Sequence, residues 1–122
     1  MTGRETIGTV GYDLLLANGK HEPDVGGISL KTAAKLVKGT VLLKDSNGDV
    51  YPLGTESGGS TITGEAFAIV AQDMEDSGQT VVAYRSGDFV KNSLVTVEDY
   101  DITQTDIDNL QKYGIYLDGA MV

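Results

Sequence analysis

Residues 39–54, GTVLLKDSNGDVYPLG, predict a β-hairpin and place the chain among β-rich proteins. An apolar run, VLL, leads into the turn, and VYPL leads out of it. Asn47 and Gly48 lie between the two runs, and such a pair accepts the positive φ angles of a two-residue turn. Pro52 has no N–H to donate to a neighbouring strand, so we expect the second strand at a sheet edge.

The same stretch also carries oxygen ligands at the spacing of a calcium-binding loop. Asp45, Asn47 and Asp49 fall at positions one, three and five, and Glu56 falls at position twelve. Position six of such a loop needs glycine for its sharp turn, but here it is Val50. The hairpin is therefore favoured over a metal site.

Three later segments also predict strands. Residues 65–74, EAFAIVAQDM, predict a strand buried on both faces, because the apolar run is continuous. Residues 80–87, TVVAYRSG, predict the next strand, which DFVKNSL continues after a bend at Gly87. The closing segment, IYLDGAMV at 115–122, predicts a final strand. Between the hairpin and the first of these strands, residues 55–64, TESGGSTITG, predict a flexible loop.

Two alternatives stay open for residues 28–37. The first three residues, ISL, fit a short strand. KTAAKLV at 31–37 fits a helical turn, because Ala and Leu favour helix. Gly39 would end either element.

One helix is predicted near the end of the chain. Thr103 is suited to the N-cap, with Asp106 three residues later in the capping-box position. Ile102 and Ile107 occupy the two positions of a hydrophobic staple. Gly114 ends the helix. The fold class expected is therefore mainly β, an α+β chain with one short C-terminal helix.

Residues 1–27 lack a clear hydrophobic period and predict an extended N-terminal arm. Its segment TIGTV at 6–10 is strand-like, yet no tight turn pairs it with a strand nearby. The run LLL at 14–16 predicts a hydrophobic anchor, and a strand of the core is the alternative. The predicted organisation is an arm, 1–27, and a β-rich domain, 28–122.

Composition narrows the classes of function. Among 122 residues, 9 Lys and Arg face 18 Asp and Glu, a formal charge of −9 that repels phosphate backbones and anionic lipid. We therefore expect no nucleic-acid and no membrane partner. The absence of cysteine excludes disulfides and thiolate chemistry. No apolar run approaches the length of a membrane span, which predicts a protein made in the cytoplasm.

Candidate catalytic groups are few. The one histidine, His21, lies in a polar loop with no nucleophile motif nearby. Acidic clusters in 73–76 and 98–101 fit a solvated turn and a helix N-terminus, respectively. We expect no enzyme activity and no catalytic residue, cofactor, metal site or small-molecule substrate. An enzyme that uses these carboxylates is one alternative, and it predicts that they face each other across a cleft.

Four stretches, in order, resemble a known family. They are YDLLLANGK, KGTVLLKDSNGDVYPL, AFAIVAQDMEDSGQTVVAYRSGDFVKNSL and LQKYGIYL, which together span most of the chain. The set is similar to the lambda-type head decoration proteins of tailed bacteriophages, most of all in GTVL, YRSGDF and GIYL. The chain departs from that pattern in a longer loop around residues 20–23 and in KTAAKL.

The resemblance implies a compact, β-clip-like decoration-protein domain with an extended N-terminal arm. It implies homotrimers at three-fold positions on the outer surface of the expanded phage head, where they brace the shell against DNA pressure. The implied partner is the major capsid protein, and the implied location is the virion. A charge of −9 agrees with the outside of a DNA-filled shell.

The resemblance also implies that the arm adds a strand to a sheet of the major capsid protein. The hypothesis is that Thr6, Ile7, Thr9 and Val10 form this strand, because all four are β-branched and lie near the start of the arm. An unpaired arm needs partners for its N–H and C=O groups, and a sheet edge supplies them. The alternative is a non-enzymatic phage fibre or surface-binding β module.

Overall fold

The structure, a computed structural model, describes residues 23–97 and 100–118. It is mainly β, with strands in about half of the described residues and one short helix, which confirms the mainly β class. The strands are β1 (Asp24–Ala34), β2 (Val41–Lys44), β3 (Val50–Pro52), β4 (Glu56–Ser57), β5 (Ser60–Thr61), β6 (Glu65–Val70), β7 (Gly78–Val90) and β8 (Ile115–Asp118). A 3-10 turn covers Lys91–Ser93, and helix α1 covers Gln104–Lys112.

Six strands form one curled sheet, in which five follow the order β1-β7-β6-β2-β3 and β8 pairs with β7. The sheet is a nearly closed barrel, because its two end strands, β1 and β3, come close to each other. Lys31 on β1 lies 3.7 Å from the Asp49 carboxylate beside β3. We call the gap between β1 and β3 the seam. Pro52 lies in β3 at the end of this order, as its missing N–H predicted.

The sheet is buried on both faces. Adjacent residues Leu42 and Leu43 of β2 enter different clusters, because successive side chains of a strand point to opposite faces. The inner cluster draws on all five strands of the barrel: Leu30, Leu42, Val50, Ala68, Val70, Val81 and Ala83. The outer cluster packs under α1 and β8: Val41, Leu43, Leu53, Ala66, Ile69, Phe89, Leu110 and Ile115. Each large apolar side chain here contributes about 1.5–3 kcal/mol.

The turn between β2 and β3 corrects the sequence prediction by one residue. The Gly48 N–H donates to the Asp45 carbonyl at 3.0 Å, which makes Ser46 and Asn47 the central residues. Gly48 follows them at φ +84°. The Asp45 carboxylate accepts from the N–H groups of Asn47 and Asp49, each at 2.9 Å. This side chain therefore favours a three-residue loop over the expected two-residue turn.

Residues 55–64 contain a small hairpin where a loop was expected. β4 pairs with β5 through Glu56 with Thr61 and Ser57 with Ser60. Gly58 and Gly59 join them at φ +62° and +85°. A two-residue hairpin turn with positive φ at both positions is the geometry that a glycine pair permits.

The open alternatives at residues 28–37 resolve as strand for residues 28–34, and residues 35–37 are neither strand nor helix. β1 continues to Ala34, which pairs with Gly78, so residues 31–34 do not form a helical turn. Pairing with β7 overrides their helix propensity. β1 begins at Asp24, so the sheet includes residues 24–27, the last four of the predicted arm. Pro23 is also described, and residues 1–22 of that arm lie outside the described residues.

The helix has the predicted capping box. The Thr103 hydroxyl accepts from the Asp106 N–H at 3.1 Å, and the Asp106 carboxylate accepts from the Thr103 N–H at 3.0 Å. Ile102 packs against the outer cluster. Gly114, at φ +91°, follows the helix end, which lets the chain turn into β8.

Tyr100 reaches the same carboxylate. Its O–H donates to Asp106 at 2.5 Å, and Asp106 is only 6% exposed. Burial, with the hydrogen bond to Asp106 and the charge of that carboxylate, raises the pKa of Tyr100 to about 12. The Tyr100 hydroxyl and the Thr103 N–H both donate to the Asp106 carboxylate, which would be costly to bury without such partners.

Candidate functional site

The predicted capsid-binding residues, Thr6, Ile7, Thr9 and Val10, lie outside the described residues. The site that the structure does describe is the junction where the predicted arm joins the barrel, followed by the surfaces around the seam.

At the junction, Pro23 lies against the bend of β7. A Cβ added to Gly87 would be 3.2 Å from the Cα of Pro23 and 3.3 Å from the ring of Phe89. Gly87 has φ +132°, a backbone conformation that residues other than glycine rarely adopt. The bend expected at this glycine is therefore confirmed, and it is also the contact point for the first described residue.

The start of β1 is fixed to β7 by an arginine. The Arg85 guanidinium lies 3.1 Å from the Asp24 carboxylate. A Cβ on Gly26 would be 2.8 Å from Cζ of Arg85, so the guanidinium lies directly over the β1 backbone. Both charged side chains are about half exposed, which makes the ion pair weak in energy. Its effect is to hold the direction in which the chain enters the sheet.

β1 is an end strand of the sheet, so its outer edge is not part of the ladder with β7. A chain that continues from an end strand can reach another sheet without crossing its own domain. Edge strands also present main-chain groups that pair readily with a further strand. The described part of the chain thus begins beside an end strand, at Pro23 and Asp24.

A groove of about 460 Å³ opens at the seam. β1 supplies one wall with residues 31–34, and Tyr51 and Pro52 of β3 supply the other. The β4–β5 hairpin borders it through Glu56 and Ser57. The β1 pairing with β7 is irregular between Ser29 and Ala34, so the β1 wall is a bulged edge.

A second, smaller hollow of about 210 Å³ adjoins the groove at Pro52. We call it the apolar patch, and its lining is Lys35, Leu36, Val37, Thr40, Pro52, Val95, Thr96 and Val97. Val37 is 49% exposed and Val95 is 37% exposed. The two valines therefore place exposed apolar surface in the lining of one hollow.

A cluster of charged and aromatic side chains covers the outer face near the helix end. Lys112 and the Tyr113 hydroxyl both donate to the Glu65 carboxylate, each at 2.5 Å. Lys44 lies 4.5 Å from the Tyr113 ring centroid and 5.2 Å from that of Phe67. The bond from Lys112 lowers the pKa of Glu65 and raises the pKa of Lys112 itself. These contacts join α1 to β2 and β6 and leave the carboxylate engaged.

The described residues of the two acidic clusters either hold a turn or lie exposed at the surface. The Asp73 carboxylate accepts from the Lys38 N–H at 2.8 Å and so holds the turn after β6. Glu75, Asp76 and Asp101 are exposed. The groove and the apolar patch are lined by other residues. Glu98 and Asp99 lie outside the described residues, so the expected lack of catalysis stays a prediction.

In residues 23–97 and 100–118, no group of three or more His, Cys, Asp or Glu side chains could hold a metal ion. No helix in that part of the chain is long and apolar enough to span a bilayer. The Asp45 carboxylate of the rejected calcium loop caps its own turn.

The sequence identified part of this site. Gly87 was predicted as a bend from its place inside a strand. The pair of Asp24 and Arg85 was missed, because these residues meet only through the register of β1 on β7. The apolar patch was also missed, since Val37 and Val95 lie far apart in sequence and no local pattern joins them.

No protein-family model matches this sequence, and the comparison with curated proteins found no match.

Proposed function

We propose that this chain is a head decoration protein of a tailed bacteriophage. It binds as a homotrimer to the major capsid protein on the outer surface of the expanded head, at three-fold positions. There it stabilises the shell against the pressure of packaged DNA. The specific decoration-protein fold, with its extended N-terminal arm, is part of this proposal.

The observation that carries the proposal is the position of the junction. Residues 1–22 precede an end strand whose first residues are held by Arg85 and by the bend at Gly87. A segment attached there can add to a sheet edge of a neighbouring protein, with Thr6, Ile7, Thr9 and Val10 as the added strand. Main-chain hydrogen bonds then supply affinity, while the side chains adjust specificity.

Trivalent binding supplies the rest of the affinity. Ordering one arm has an entropic cost, so a single arm binds weakly. A trimer presents three arms at once, and effective concentration can then raise affinity by about 10² or more. The charge of −9 is compatible with the outside of a particle whose interior is filled with nucleic acid.

The test is co-sedimentation with expanded phage heads that lack their own decoration protein. Deletion of residues 1–11 should leave a folded protein, by circular dichroism, that no longer pellets with the heads. The double variant I7P/V10P should behave in the same way, because it removes N–H donors on both sides of the arm. The matched variant I7A/V10A keeps these donors and should bind more strongly than I7P/V10P.

Two results would contradict the proposal. Normal binding by the deletion variant would show that the arm is not the attachment. Binding of the full chain to host cells, with no binding to heads, would favour the surface-binding β module instead.

A further inference from the structure

The apolar patch lies beside basic side chains in a chain that is otherwise strongly acidic. Lys35 is exposed just after β1, and Lys31 on β1 is also exposed but lies 3.7 Å from the Asp49 carboxylate. Val37 and Val95 form the exposed apolar centre next to Lys35. Lys35 is the basic side chain in the lining of the patch, and it can pair with a carboxylate of a second surface.

A negatively charged surface lies immediately beside the patch. We call residues 73–76 the acidic turn. It packs on the loop that carries Lys35 and Val37, because the Met74 N–H donates to the Leu36 carbonyl at 2.9 Å. In return, the Leu36 N–H donates to the Met74 sulfur at 3.3 Å. Glu75 and Asp76 remain exposed at the surface.

We propose that the apolar patch is the contact between copies of this chain, and that it receives the acidic turn of a second copy. Lys35 of one copy faces Glu75 and Asp76 of the next, and Val37 and Val95 become buried between them. The two surfaces differ, so the contact is heterologous, and such contacts close into a ring when the rotation permits. This inference deepens the proposed homotrimer by naming its interface.

Charge complementarity is the reason to choose a second copy as the occupant. The patch combines apolar centre and basic margin, and the chain itself carries the matching acidic surface one loop away. The apolar patch and the acidic turn also lie side by side on one molecule. This arrangement suits a small ring, because each copy of the ring must present both surfaces close to the axis. We therefore expect self-association to be stronger at low salt and weaker at high salt.

The test is sedimentation velocity of the isolated full chain over increasing concentration, without phage heads. The variants K35E and E75K should each weaken self-association by about tenfold or more, because each brings like charges together. The double variant K35E/E75K restores opposite charges and the original net charge, so it should recover most of the association. Val37→Ser should weaken association without loss of folding, since Val37 is half exposed.

Matched charge changes elsewhere are the controls. K91E and D101K alter charge by the same amounts as K35E and E75K, at sites outside the patch and the acidic turn, and should leave association unchanged. The inference is overturned if the wild-type chain stays monomeric at all concentrations up to about 1 mM, a weak-affinity limit. It is also overturned if the double variant fails to recover association.

The two proposals fail separately. A chain that associates through this patch but does not bind heads would overturn the proposed function and leave the interface standing. If the chain binds heads but K35E, E75K and the wild type associate equally, the proposed interface is overturned and the proposed function stands.

Discussion

The carboxylate of Asp106 shows how one side chain serves several neighbours at once. It completes the capping box with Thr103 and accepts the phenol of Tyr100, which connects the start of α1 to the segment before it. The capping box was predictable from sequence, because its two residues are separated by a fixed interval. The Tyr100 bond was not, because nothing in the local pattern directs that ring toward the helix.

Tyr100→Phe removes the hydroxyl and leaves Asp106 with the Thr103 N–H alone. We expect the free energy of unfolding to fall by about 1.5–3 kcal/mol, the usual contribution of a hydrogen bond to a charged group. Urea denaturation measures it. Tyr51→Phe is the control, and an equal loss in both variants would contradict the assignment.

The pH dependence of stability follows from the same contact. The pKa of Tyr100 is raised to about 12 in the folded chain, above its ordinary value near 10. The contribution of this group is therefore complete below about pH 10 and is lost as the pH rises toward 12. Between those values the wild type should lose more stability than Tyr100→Phe does. Parallel pH profiles of the two proteins would refute the prediction.

At the scale of elements, strands with a clear apolar run were predictable and short or bulged ones were not. The hairpin of β2 and β3 was predicted from its flanking runs, yet the turn residues differed because the Asp45 side chain stabilises another loop. β4 and β5 have two residues each, too few for a hydrophobic period to appear. The second half of β1 was ambiguous, because its strand state depends on distant pairing with β7.

Asp45→Ala tests the account of that turn. The variant loses an acceptor for two main-chain N–H groups, and we expect about 0.5–1.5 kcal/mol of destabilisation. Asp45→Asn keeps an acceptor oxygen and should lose less. Thermal unfolding of the two variants measures the difference. Equal stability of Asp45→Ala and wild type would show that the side chain does not hold the turn.

At the scale of the whole molecule, β7 joins two parts. Its first portion pairs with β1 and β6 in the barrel, and residues 87–90 pair in parallel with β8. Gly87 lies where these pairings change, and Pro23 lies against it. The sequence predicted the bend but not its role, because that role depends on both β8 and the entry of the chain into β1.

Gly87→Ala should destabilise the fold by about 1–3 kcal/mol, because φ +132° is strained for alanine and Cβ would crowd Pro23. Gly48→Ala is the matched control. Gly48 also has positive φ, but a Cβ there would meet nothing within 4 Å. Chemical denaturation should rank Gly87→Ala as the less stable variant. The reverse order would mean that crowding at the junction is unimportant.

The β4–β5 hairpin has a practical consequence. Gly58 and Gly59 form its tip, and open space surrounds both positions. A peptide grafted between them would project into solvent and leave both core clusters intact. The tip is therefore a natural place to carry a fluorophore, an epitope or another cargo, and the barrel beneath it would serve as the display scaffold.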